Sequence, residues 1–196
     1  MVLAPRRTAA AVLSAATLLA FATPAAHAQN LTISDGAGDV WVAGIDNDGF
    51  APAPGSKHAD VRRIVVKHAA KKIVVRAKLT ELTRQGALVG LLGQFRTNTG
   101  LRRDATLFGE VDKRKGRTEF TTRRGRQLDC AMTHKIGYTR NTMTMGVPRS
   151  CLKNPRWVEF RSQNAWITDD NAEVYVDNPH NDKPQFRGWS SRIRRG

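Results

Sequence analysis

The chain is poor in negative charge, with 17 acidic residues against 32 Lys and Arg and a formal net charge of +15. Cysteine is scarcer still: Cys130 and Cys151 are the only two. They are not spaced as Cys-x-x-Cys, which excludes the usual dithiol redox motif and leaves at most one disulfide. Gly-x-Ser-x-Gly, His-Glu-x-x-His, the phosphate-binding P-loop and the dinucleotide fingerprint are all missing, so no standard catalytic motif is present. Beyond the first 28 residues no apolar run is long enough to span a bilayer. No segment sustains a three-four apolar repeat between capping residues, which argues against long helices. Internal repeats are absent, and the nearest thing to a linker is Ala51–Gly55.

The first 28 residues read as a secretory leader. Arg6 and Arg7 supply positive charge, Ala9–Ala22 is almost entirely apolar or small, and Ala26-His27-Ala28 fits the small-x-small cleavage rule. Cleavage after Ala28 is expected, and export would place the cysteines in an oxidising compartment where they pair. The leader holds two of the basic residues and none of the acidic ones, so the positive excess survives its removal. Such an excess attracts polyanions: cell-wall polymers, acidic polysaccharides, anionic lipid or nucleic acid. An exported chain makes intracellular nucleic acid an unlikely partner. The same charge also serves solubility alone.

Period-two alternation dominates the rest. Ile73, Val75, Ala77 and Leu79 share one parity, and Lys72, Val74, Arg76 and Lys78 the other, as in a half-buried strand. Ile64 and Val66 alternate with Arg63, Val65 and Lys67, and the short stretch 68–71 joins the two runs as a hairpin. Leu88–Phe95 is more continuously apolar and reads as a central strand; Ala105–Val111 pairs with it across 96–103, and Arg117–Thr122 extends the meander. Ile136 and Tyr138, a turn at Arg140-Asn141, and Met143, Met145 and Val147 form another hairpin, closed by Pro148. Cys130 and Cys151 flank that hairpin and would staple its open end. Val158 and Phe160, then Val174 and Val176, mark further strands. The expectation is an antiparallel β-sandwich, immunoglobulin-like or jelly-roll-like, with a closed barrel as the alternative. Residues 29–182 form the single domain and 183–196 a basic tail.

The opening Asp35-Gly36-Ala37-Gly38-Asp39-Val40, a Pro/Gly-containing loop, and Asp60-Val61 leading into paired strands resemble the start of DOMON and family-nine carbohydrate-binding-module sandwiches. With Val147–Leu152 they are also similar to small secreted actinobacterial proteins of unknown function. The resemblance implies a sandwich and a binding rather than catalytic role, toward sugars or haem. It carries over no individual ligand residue.

Three constellations remain. Arg63, Lys67, Lys72, Arg76 and Lys78 would crowd one face of the hairpin and suit an anionic extracellular or cell-envelope polymer; a solvated face is the plain alternative. Asp35, Asp39, Asp46, Asp48, Asp60 and Asp177 are candidate ligands for Ca²⁺, the one cofactor the sequence suggests, or else turn residues that bond their own backbone. Asp46-Asn47-Asp48-Gly49 is no EF-hand, since Phe50 and Lys57 stand at liganding positions. Among the tryptophans, Trp157 and Trp189 are candidates for stacking a neutral sugar, whereas Trp41 and Trp166 read as core. A hydrolase using Asp46 and Asp177 as an acid and base pair is the remaining alternative.

Overall fold

The computed structural model describes residues 29–44, 46 and 49–196. Residues 1–28, read from the sequence as a leader, and Asp48 therefore lie outside the described residues. Every named strand pairing is antiparallel.

The alternating runs become β4 (Val61–His68) and β5 (Lys72–Leu79), joined by a tight turn, with Ile64, Val66, Ile73, Val75 and Ala77 fully buried. Two edge partners complete this sheet on either side. β1 (Gln29–Ser34) pairs with β4, while β10 (Thr142–Pro148) pairs with β5 and carries β9 (Thr133–Gly137) at the far edge. The sheet order is β1-β4-β5-β10-β9.

The second sheet runs β3 (Ala51–Pro52), β2 (Trp41–Gly44), β12 (Glu173–Asp177), β11 (Trp157–Ile167), β6 (Leu88–Thr97), β7 (Arg102–Glu110), β8 (Arg117–Thr122). Its middle is the expected apolar run: β6 is flanked by β11 and β7, and β8 continues the meander. The two sheets pack face to face into a sandwich, and the barrel alternative is excluded. Phe95 and Phe160, with ring centroids 5.1 Å apart, lie over the buried methionines Met143 and Met145. Gly93 faces the same layer. A Cβ there would come within 2.6 Å of Met145 Cε and 2.9 Å of Phe160 Cε2, which explains a glycine in the middle of a central strand.

The segment read as a basic tail is instead docked. Ser190 donates its backbone N–H to Phe160 O at 2.9 Å, and β13 (Ile193–Arg194) pairs with the start of β11. Ile193, 1% exposed, belongs to the core. Backbone hydrogen bonds from Arg195 N–H to Arg156 O at 3.0 Å and from Gly196 N–H to His68 O at 3.2 Å hold the rest of the segment in place.

Cys130 and Cys151 are bonded, with Cα atoms 5.9 Å apart. Cys130 precedes β9 and Cys151 lies in a 3₁₀ turn (Arg149–Leu152) just after β10, so the bond closes the open end of this hairpin as expected. A loop of this size constrains the unfolded chain by about 3 kcal/mol. Reduction, or a Cys130→Ala/Cys151→Ala variant, is expected to lower unfolding free energy by roughly that amount in a denaturant titration. A midpoint that does not move would show that β9 and its flanks are held by packing alone.

Candidate functional site

Burying one face of β4 and β5 sends every second side chain outward. The cross-strand register then sets those side chains in rows. Ser34, Arg63, Lys78, Thr142 and Gly137 form one row; Thr32, Val65, Arg76, Thr144 and Lys135 a second; Asn30, Lys67, Val74, Gly146 and Thr133 a third, with Lys72 opposite Pro148 beyond it. All five cations expected from the sequence therefore share one face, and Lys135 of β9 joins them. Arg63, Lys67, Lys72, Arg76 and Lys135 are exposed and Lys78 is half-buried.

None of the 17 acidic residues of the chain falls in any of the five strands of this sheet. Interleaved carboxylates, the feature that would make the stripe an ordinary solvated face, are missing. Among the described residues none of the six cations makes an ion pair. Lys78 instead donates from Nζ to the carbonyl of Arg140 at 2.7 Å. Between the cations the side chains are small: Thr142, Thr144, Gly137 and Gly146 leave a depression. A cavity of about 610 Å³ is lined by Arg63, Arg76, Lys78, Arg140 and Thr142. A smaller one of about 210 Å³ shares Arg76, Arg140 and Thr142 with it and reaches Lys135. The result is a basic groove across four strands, β4, β5, β10 and β9.

The remaining arginine clusters are built differently. Arg102, Arg103, Arg123, Arg124 and Arg126 gather where β7 and β8 meet their connecting turns, but Asp104 lies close enough for Arg123 and Arg161 to act on its carboxyl. Arg149 is buried and spends its guanidinium on the carbonyls of Ala70 and Pro155, at 2.8 and 2.9 Å. Ion pairs concentrate on the eight-stranded sheet, as Arg96 with Glu159 and Arg117 with Glu110 and Glu119.

The acidic residues divide. Asp35 and Asp39 close the loop between β1 and β2, and Asp177 ends β12; single carboxylate oxygens of the three lie within 4.8 Å of one another. The loop turns on Gly38, at φ +77°, where a Cβ would strike Pro54 O at 2.6 Å. Asp177 Oδ2 accepts the Val61 N–H at 2.6 Å and so ties the eight-stranded sheet to β4. Asp60, 2% exposed, accepts the Thr80 hydroxyl on Oδ2 at 2.6 Å, and its charge reaches both Asp35 and Asp177. Asp46 does not join them. It is exposed in the turn after β2, where Gly44 pairs with Glu173, whereas Asp177 lies beyond the Trp41–Val176 pair at the other end. With roughly 3.3 Å per strand residue, that separation removes Asp46 and Asp177 as an acid and base pair.

The aromatic candidates carry cations. Arg192 sits 4.4 Å from the Trp157 ring centroid, and Trp189 lies against both Arg161 at 4.5 Å and Arg96 at 5.0 Å. Trp41 and Trp166, expected in the core, are both only half-buried. Trp166 packs on the core edge and stacks on His58 at 4.1 Å, with Tyr175 edge-on; Trp41 has Lys183 5.4 Å away. His58, with an ordinary loop context, gave no sequence signal for this stack.

Burial, then the Asp39 charge, pushes the Asp35 carboxyl up to about 7; burial, then Asp35, Asp39 and Asp60, pushes Asp177 up to about 8 against the opposing Val61 N–H. Both exceed their unfolded values, so their contribution to stability is complete below pH 4 and is lost as pH rises through 7 and 8. His180 acts oppositely. Burial and then Arg161 hold it down to about 4, so its contribution is present above about pH 6.5 and lost in acid. Above about pH 6.5 the carboxyls alone set the slope. In chelator, Tm is expected to fall between about pH 6.5 and 8.5, and Asp177→Asn, which keeps an acceptor for Val61, should flatten that fall. An unchanged slope in the variant would contradict the assignment.

No family model matches this chain, and no characterised protein or solved structure does either.

Proposed function

We propose that the protein is a non-catalytic binding module whose five-stranded sheet presents its basic outer face to an anionic polymer outside the cell or in its envelope. The observation that carries this reading is the absence of every acidic residue from the five strands of that sheet. Arg63 and Lys78 are direct cross-strand neighbours, and like charges opposite one another weaken a sheet. A polymer bearing regularly spaced negative charge relieves that repulsion. Strands are about 4.8 Å apart and same-face residues about 6.8 Å apart along a strand, a grid suited to carboxylate, sulfate or phosphate groups on a chain. The leader-like pattern of residues 1–28 in the sequence and the Cys130–Cys151 bond support a location outside the cytoplasm. A neutral-sugar role for Trp157 and Trp189 has less support, because guanidinium groups already sit on both rings.

Charge-driven docking screens with salt. Binding to an immobilised sulfated or carboxylated polysaccharide, or to teichoic acid, is expected to weaken at least about tenfold between about 50 and 300 mM NaCl. An Arg76→Glu/Lys135→Glu variant should lose about tenfold or more with little change in Tm, since both side chains are exposed. Arg123→Glu/Arg124→Glu, of the same charge change at another cluster, should retain more affinity. A salt-independent isotherm, or equal losses in the two variants, overturns the assignment to this face.

A further inference from the structure

At one end of the sandwich, four carboxylates from three separate segments converge without a single ion-pair partner among the described residues. Asp35 and Asp39 belong to the β1–β2 loop, Asp60 to the approach to β4, and Asp177 to the end of β12. Among the described residues none of them forms an ion pair. In a chain with so large an excess of Lys and Arg, that isolation is not a matter of supply.

A second observation concerns oxygens rather than charge. Asp60 is 2% exposed, yet its Oδ1 is buried with no hydrogen-bond partner. Asn164, fully buried, sits directly opposite Asp177 in the β11–β12 register and faces inward with it. Its amide nitrogen is anchored on Ala59 O at 3.2 Å, while Oδ1, the carbonyl end, has no partner. Asp35 Oδ2 and Asp39 Oδ1 are likewise buried and unpartnered. Buried acceptors almost always find a donor; here acceptor oxygens collect in one place and lack one. Ala59 holds this corner at φ +62°, a backbone cost that rigid positioning of Asp60 and Val61 justifies.

We propose that Asp35, Asp39 and Asp177, backed by Asp60 and the carbonyl oxygen of Asn164, form a Ca²⁺ site that clamps the two sheets together. The donor set is all oxygen and contains neither His nor Cys, which suits a hard cation and disfavours zinc or copper. Donors drawn from an irregular loop and a strand end tolerate the higher coordination number and variable geometry of Ca²⁺ better than the strict octahedron of Mg²⁺. The ion would join β1 and β4 of one sheet to β2 and β12 of the other, at the point where Asp177 already reaches Val61.

The test is calorimetric titration of CaCl₂ into chelator-treated protein, with Tm measured alongside. A single binding event of Kd on the order of 0.1 mM and a Tm rise of about 5 °C at saturating Ca²⁺ are expected. Asp35→Asn/Asp39→Asn should abolish both. If that variant fails to fold, Asp39→Asn alone, at a half-buried loop position, should weaken binding at least about tenfold. Absence of binding heat and of any Tm shift at about 1 mM Ca²⁺ overturns the site, as does a shift that persists in the Asp35→Asn/Asp39→Asn protein. Equal stabilisation by Mg²⁺ overturns the choice of ion. Arg76→Glu/Lys135→Glu should bind Ca²⁺ normally, so this site and the basic face stand or fall separately.

Discussion

The structure rests on the apolar contact between two sheets, because burying one face of a strand fixes what the other face must show. Ile64, Val66, Ile73, Val75 and Ala77 are withdrawn completely from water, and a slip of one residue in β4 or β5 would exchange them for cations. Each buried aliphatic side chain is worth about 1.5–3 kcal/mol, so a slipped register is heavily disfavoured. The basic face is thus a consequence of core packing. It does not depend on attraction among its own members, which repel.

Charge is segregated between the two sheets. On the eight-stranded sheet, several arginines meet carboxylates or lie on rings: Arg117 bridges Glu110 and Glu119, Arg96 meets Glu159, and Arg161 covers Trp189. The strands of the five-stranded sheet hold no carboxylates, and among the described residues the acidic corner between the sheets makes no ion pair. Both departures from the usual intermixing of surface charge carry an electrostatic cost that solubility alone does not require. They point to two different kinds of counter-ion, one polymeric and one small.

The acidic corner also shows how local strain and long-range order meet. Gly38 allows the β1–β2 loop to fold against Pro54, Ala59 adopts a left-handed conformation, and the Val61 N–H reaches across to Asp177. Together these place the start of β4 against the end of β12, residues separated by more than half the described chain. The same junction aligns the two inward faces.

Much of the fold was legible in local pattern. Alternation located β4, β5, β7 and β10, the apolar run 88–95 located β6, and the expectation of export paired Cys130 with Cys151. The shared face of Arg63, Lys67, Lys72, Arg76 and Lys78 was readable for the same reason: strand parity is a property of neighbouring residues. Lys135 was missed because β9 has only Ile136 to mark its buried side. Asp35, Asp39, Asp60 and Asp177 were named from the sequence as candidate ligands, but only tertiary structure brought them together, separated Asp46 from them, docked Ile193, and left Trp41 and Trp166 half-exposed. Those outcomes depend on β2 pairing with β12 and on which sheet each strand enters. Such pairings are decided by the burial of side chains far apart in the chain, and no period in the local sequence records them.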